Sequence, residues 1–195
     1  MSSSLTKQER LNALYAPYKK CQECPLGSLG RTNVVFGEGN PDATLVFIGE
    51  GPGRDEDLEG RPFVGKSGQL LNKALALVGI ERNDTYITNV VKCRPPNNRA
   101  PLPVEIATCT NLFLYKQIAI IQPLVICTLG AVALTTLLEK KMAITKIHGT
   151  QLPYKDNIII VPLYHPAYIL RNRAEAKTWV NDLKAVAQLL STTKK

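Results

Sequence analysis

The stretch Leu45-Val46-Phe47-Ile48-Gly49-Glu50-Gly51-Pro52-Gly53 constrains this chain more than any other, because an unbroken apolar run passes at once into a loop of glycine and proline. Such a run reads as a strand buried on both faces, delivering its loop to the carboxyl edge of a sheet. In an open α/β sheet that edge binds ligands. The glycines let a ligand approach the backbone, and Pro52 keeps the turn from relaxing into helix. A plain strand-to-helix turn would need only one or two of these glycines, so the loop reads as part of a functional site.

The same alternation of strand and helix runs through the chain. Strands are expected at 85–92, with Asn89 near the carboxyl end, at 124–130, and at 158–163, ending in Tyr164-His165-Pro166. Helical spacing of apolar residues places helices at 8–19, 68–78, 104–121, from 131 to about 140, and at 173–190. Residues 54–59 read as a mainly acidic surface stretch. The fold class is therefore α/β: a three-layer α/β/α sandwich with a central four-stranded parallel sheet, in one domain spanning 1–195.

The chain carries 24 Lys and Arg against 16 Asp and Glu, a net charge of +8 with pI near 9.3. That balance favours an anionic partner, nucleic acid before membrane, because no segment has the basic-faced amphipathic pattern of a surface anchor. No apolar run looks long enough to span a bilayer and residues 1–4 lead into a charged stretch, so a cytoplasmic location is expected. Five cysteines in such a chain argue for metal or cluster ligation rather than disulfides. Cys21 and Cys24 form a CxxC pair before Pro25, and Cys93 and Cys109 are available to join them.

Gly60-Arg61-Pro62-Phe63-Val64-Gly65-Lys66-Ser67 matches the phosphate-loop pattern GxxxxGK[ST] letter for letter. It does not follow a buried strand, and acidic residues precede it, so nucleotide hydrolysis is discounted. Dinucleotide binding is discounted too, since Arg54 stands where a third glycine is needed and Asn89 where an acid is needed. What converges on the carboxyl rim is instead a glycine loop, the Asn89 amide, the His165 imidazole and the nearby Phe63 ring. Together they describe a pocket for a planar, hydrogen-bonding ring.

Four ordered motifs carry a resemblance: 49–53, 60–65, 88–96 (Thr-Asn-Val-Val-Lys-Cys-Arg-Pro-Pro) and 165–171 (His-Pro-Ala-Tyr-Ile-Leu-Arg). The chain resembles the family 4 uracil-DNA glycosylases, iron-sulfur enzymes of bacteria and archaea, from Cys21 to its last helix. The resemblance implies that uracil is flipped out of DNA into the rim pocket and its N-glycosidic bond hydrolysed, leaving an abasic site for base excision repair. Phe63 would stack on the base, Asn89 would read its edge, and His165 would stabilise the departing anion. Backbone groups of Glu50 and Gly51 would hold the base. Leu170 would wedge into the vacated stack while Arg171, Arg94 and Arg99 grip phosphates. Where many relatives in the wider superfamily carry a water-positioning aspartate, this chain has Gly51, and Glu50 is the nearest carboxylate.

The resemblance also implies that Cys21, Cys24, Cys93 and Cys109 ligate a 4Fe-4S cluster tying residues 8–25 to the body. Cysteine spacing alone leaves an all-cysteine zinc site equally open. Cys127, in a buried strand, reads as core, and His148 as a surface or turn residue. Loop 94–99 holds no histidine, so hydrolysis is expected rather than the covalent capture of DNA seen in a related group. The alternatives are that cross-linking variant and a non-catalytic iron-sulfur DNA-binding module. A monomer acting on single- or double-stranded uracil-containing DNA is expected, with a replication clamp as candidate partner and no membrane association.

Overall fold

A computed structural model describes residues 5–193. Six strands form one sheet: β1 (Glu38–Gly39), β2 (Leu45–Gly49), β3 (Tyr86–Asn89), β4 (Val125–Leu129), β5 (Leu152–Pro153) and β6 (Ile159–Leu163). Their order is β1-β3-β2-β4-β6-β5, the four inner strands parallel and the two edge strands antiparallel. The expected four-stranded parallel sheet is thus the centre of a wider one. Strands of two residues leave no periodicity to read, and edges that short offer little backbone for unwanted pairing.

The helices are α1 (Lys7–Tyr15), α2 (Arg54–Glu59), α3 (Lys66–Leu77), α4 (Pro103–Cys109), α5 (Tyr115–Ile121), α6 (Ala131–Leu138), α7 (Ile144–Ile147), α8 (Pro166–Arg171) and α9 (Ala176–Thr193). Because side chains alternate along a strand, each strand feeds two cores. Val46, Ile48 and Ile126 meet Leu11, Phe113, Leu114 and Leu134 on one face. Leu45, Phe47, Val125 and Cys127 meet Leu71, Leu75, Trp179 and Leu183 on the other. Helices therefore cover both faces, and Cys127 is wholly buried core, as its strand position implies.

A single π turn, Thr110–Leu114, joins α4 to α5 directly after Cys109; such turns concentrate at functional sites. This helical run corrects one expectation, since residues 103–121 are long and apolar enough to cross a membrane. Half of the run is buried, and Phe113, Leu114, Ile118 and Ile121 lie in the core beside the sheet, where a core helix passes the same test. At the other end, Thr6 and Glu9 cap α1 reciprocally. Tyr15 stacks on Phe36 at 4.8 Å and Tyr18 meets Phe113 edge-on at 5.1 Å, so aromatic packing holds the amino-terminal segment.

The acidic stretch 54–59 keeps Arg54, Asp55, Leu58 and Glu59 exposed, as expected of a surface stretch, but one of its acids turns inward. It forms α2, and its Asp57 is buried, accepting from the backbone N–H of Thr32 at 2.9 Å and of Asn33 at 3.2 Å. Those partners lie in the connector upstream of β2, out of reach of any local pattern.

Candidate active site

The chain runs from β2 to β3 on one side and then crosses to β4 on the other, so the loops that follow diverge at the carboxyl ends. A cavity of about 640 Å³ lies there, lined by Glu50, Gly51, Phe63, Asn89, the start of α6, His165 and α8.

Gly49 and Asn89 are register partners at the ends of β2 and β3. A Cβ on Gly49 would strike the Asn89 amide oxygen and come within 2.6 Å of the Phe63 ring. Its absence lets an amide and an aromatic face share one space. Asn89 is 1% exposed, yet its Oδ1 has no hydrogen-bond partner. A buried acceptor left unpaired costs about 1–3 kcal/mol, which fits an atom reserved for a ligand.

Phe63 is buried and adopts a left-handed backbone with φ 52°, a strained conformation typical of functional loops. Gly68 in the first turn of α3 permits this, because any Cβ there would collide with the Phe63 carbonyl. Arg82 holds the loop from outside, donating to the carbonyls of Pro62 at 2.7 Å and Phe63 at 3.3 Å while paired with Glu38 at 2.8 Å. Sequence reasoning missed Arg82, which sits in an ordinary turn before β3 and belongs to no motif.

The Phe63 ring lies 5.8 Å from the His165 imidazole, centroid to centroid. His165 caps α8: its Nδ1 accepts the backbone N–H of Ala167 at 3.1 Å. An accepting Nδ1 leaves the proton on Nε2, so the free ring nitrogen is a donor. Burial, reinforced by the positive charge of Arg171, pushes its pKa down to about 4. The imidazole is therefore neutral at physiological pH.

Two carboxylates line the cavity. Glu56 is committed: Oε2 accepts from Gly53 N–H at 3.1 Å, and Oε1 from Val64 and Gly65 N–H at 3.0 and 2.9 Å. The Val64 and Gly65 N–H groups belong to the stretch that spells a phosphate loop, so the protein's own carboxylate fills the place an anion would take. Glu50 has no such commitment, and half-burial raises its pKa.

Leu170 and Arg171 end the short helix α8 rather than sitting in a loop; Leu170 is 41% exposed and Arg171 lines the cavity. Arg94 donates from Nε to Asn98 at 2.8 Å across the proline-rich loop. Arg99 forks onto the fully buried Glu105 at 2.7 and 2.9 Å, and Glu105 also accepts Leu102 N–H at 2.7 Å. That fork makes Arg99 a brace of the loop.

Cys21, Cys24, Cys93 and Cys109 are all unpaired. Burial pushes Cys93 up to about 12 and Cys109 up to about 11 and also raises Cys24, and in all three the charge of neighbouring cysteines, Cys21 among them, adds to the rise. Among the described residues, no group of His, Cys, Asp or Glu is arranged to hold a single metal ion. Arg31, bonded to the Cys21 carbonyl at 2.6 Å, and Lys92 supply positive charge that favours thiolates. Lys92 is fully buried, holds the Asn89 carbonyl at 2.8 Å and Gln117 at 2.7 Å through Nζ, and gives its backbone N–H to Cys109 Sγ at 3.2 Å.

His148 stands in the turn after α7, as expected, and is partnered there, with Nδ1 2.7 Å from Asp182 and its ring on Tyr164.

A parallel sheet with a base-sized corner at its switch point, fitted with an aromatic ring, an amide and a neutral imidazole, defines a class, and the chain belongs to it: the family model described as "Uracil DNA glycosylase superfamily" matches residues 36–187. The type-4 uracil-DNA glycosylase of Thermotoga maritima is 52% identical over 170 residues, covering 87% of this chain and 88% of that protein. The type-4 enzyme of Archaeoglobus fulgidus is 38% identical over 188 residues, covering 93% and 94%. A type-5 uracil-DNA glycosylase of Thermus thermophilus is 29% identical over 149 residues, covering 67% and 68%. Within the superfamily, the chain belongs to the type-4 uracil-DNA glycosylases. Enzymes of this class are hydrolases of N-glycosidic bonds that serve DNA repair.

Proposed function

We propose that this chain flips uracil out of DNA into the corner between Phe63, Asn89 and His165 and hydrolyses its bond to the sugar. The observation that carries the reading is the buried, unpartnered Asn89 oxygen, set beside a stacking ring and an imidazole fixed as donor. Flipping costs a few kcal/mol of lost stacking. Phe63 offsets part of it by stacking, and the Asn89 amide pairs with the O4 and N3–H edge that uracil presents and cytosine does not.

As the C1′–N1 bond breaks, its electron pair leaves with the base and charge builds on O2. His165 Nε2–H donates to that oxygen without giving up its proton, an oxyanion-type contribution of about 3 kcal/mol. Backbone N–H groups of the loop at Glu50 and Gly51 support the base. Water adds to the sugar cation, and its proton passes to Glu50, the uncommitted carboxylate of the cavity. Leu170 fills the gap in the stack, Arg171 and Arg94 take phosphates, and Arg99 keeps the proline-rich loop in place.

Cys21, Cys24, Cys93 and Cys109 would hold a 4Fe-4S cluster, to which an all-thiolate donor set is suited. Bound there, the cluster supplies a cross-link between the amino-terminal segment and the loop after β3, not chemistry on the base. Brown protein with four irons per chain is the expected result; an anaerobic, colourless preparation with one zinc would overturn it. The working form we infer is a cytoplasmic monomer acting on single- or double-stranded DNA, with a replication clamp as candidate partner; gel filtration with and without a clamp tests both.

The deciding experiment incubates the protein with a labelled oligonucleotide carrying one uracil, then alkali and a denaturing gel. Cleavage at uracil but not at thymine or cytosine, lost in His165→Ala, is the outcome expected. An intact oligonucleotide with cluster-loaded protein would overturn catalysis, and an alkali-resistant protein–DNA band would mean cross-linking instead.

A further inference from the structure

The cavity is larger than one pyrimidine needs; pockets of about 300–1,000 Å³ take whole drug-sized ligands. Uracil occupies the end bounded by Phe63, Asn89 and His165. The cavity is also walled by Tyr168, Ile144 and Thr145, and none of these has a part in the reaction described above.

Tyr168 is also the outer member of a column. Its ring packs on Tyr164 at 5.0 Å and 33°, Tyr164 packs on His148 at 4.6 Å and 31°, and His148 is anchored to Asp182 at 2.7 Å. The column draws on α8, the segment after β6, the end of α7, and α9. Tyr164 is buried within it, whereas Tyr168 stays half-buried at the cavity wall. A ring that lines the cavity and packs against a second ring, itself packed on an imidazole bonded to Asp182, is a fixed aromatic platform. Arg171 lies three residues further along α8, on the same face, and lines the same cavity.

We propose that Tyr168 is the stacking platform of a second nucleobase subsite, which takes the base next to the flipped uracil, with Arg171 on the phosphate between the two nucleotides. The inference rests on uracil occupying the Phe63–Asn89 corner, because the neighbour is tethered to it. Stacking on an aromatic side chain accepts any base, so the subsite reads the presence of a base and not its identity. It also favours single-stranded substrate, in which the neighbour is free to leave its own stack.

The test uses single-stranded oligonucleotides with one uracil, in which the base on one flank or the other is replaced by an abasic spacer. For the unmodified protein we expect a spacer on one flank to lower kcat/KM about tenfold through KM, and a spacer on the other flank to change it little. Tyr168→Ala should lose about tenfold on the intact substrate and nothing further on the spacer, while Tyr168→Phe and Tyr168→Trp retain the sensitivity. Indifference of the unmodified protein to spacers on both flanks would overturn the proposal without recourse to any variant. So would a Tyr168→Ala protein as spacer-sensitive as the parent. Failure of the parent to excise uracil from the intact substrate would instead overturn the glycosylase reading beneath it.

Discussion

The base corner and the loop that walls it are built on opposite terms. In the corner, polar groups are left without protein partners: the Asn89 oxygen is orphaned, the Glu50 carboxyl is desolvated, and His165, bonded through Nδ1 alone, lines the cavity. In the neighbouring stretch 61–65 the polar groups are held: Glu56 takes the N–H of Val64 and Gly65, and Arg82 takes the carbonyls of Pro62 and Phe63. The two regions touch through one ring, that of Phe63. Unpaired groups mark where a ligand supplies the missing bonds, and paired ones mark the frame that aims them. Substitutions in the corner should therefore cost activity, and substitutions in the frame should cost stability first.

The largest effect expected is in the corner. His165→Ala should lower the single-turnover rate by roughly a hundred- to a thousandfold, with a stability loss of only about 1 kcal/mol from the missing cap on α8. Glu50→Ala should cost less, and the reverse order would move the main catalytic burden to the carboxylate. Asn89→Ala should cost about a hundredfold in uracil excision while leaving urea-unfolding stability no lower, since it removes an unsatisfied buried acceptor. A stability loss above about 2 kcal/mol would show that Asn89 belongs to the frame. Glu56→Ala sharpens the other side: about 2 kcal/mol of stability should go as three backbone donors lose their acceptor, with weakened uracil binding following. A fully stable but inactive Glu56→Ala protein would place that residue in the chemistry.

The smallest effect on activity is that of pH. With His165 near 4 in the fold and about 6.5 unfolded, the unfolded chain takes the proton first as pH falls. Stability from this residue is complete above pH 6.5 and is lost toward pH 4, by roughly 3 kcal/mol in all. With Glu50→Ala removing the other cavity group whose pKa is raised, single-turnover rates should stay flat from pH 8 to about 5, and an inflection near 6.5 would mean an exposed, ordinary imidazole.

Much of this comparison was legible in the sequence, and unevenly. Buried parallel strands announce themselves as apolar runs, so the four inner strands and the rim bearing Asn89 and His165 could be read directly. The frame could not. Glu56 looks like one of several surface acids, and Arg82 like any charged turn residue, because their partners lie in loops that meet only in the folded chain. The phosphate-loop letters at 60–67 show the same limit: the pattern records which residues are present and not that Glu56 already occupies their donors. Arg99 read as a phosphate contact because the buried Glu105 that it forks onto carries no marker of burial.

Gly68 has a further consequence. Helix α3 and the Phe63 carbonyl meet at a distance that only a hydrogen on Cα allows, so the wall of the base corner and the first turn of a core helix form one solid piece. Such a wall has no slack to give: a bulkier base cannot be admitted by letting the loop breathe, because the loop retreats only if the helix lifts off the sheet. Attempts to broaden the enzyme's diet by loosening this loop should therefore yield fragile proteins before permissive ones. Room for a larger guest has to be cut from the Phe63 ring itself.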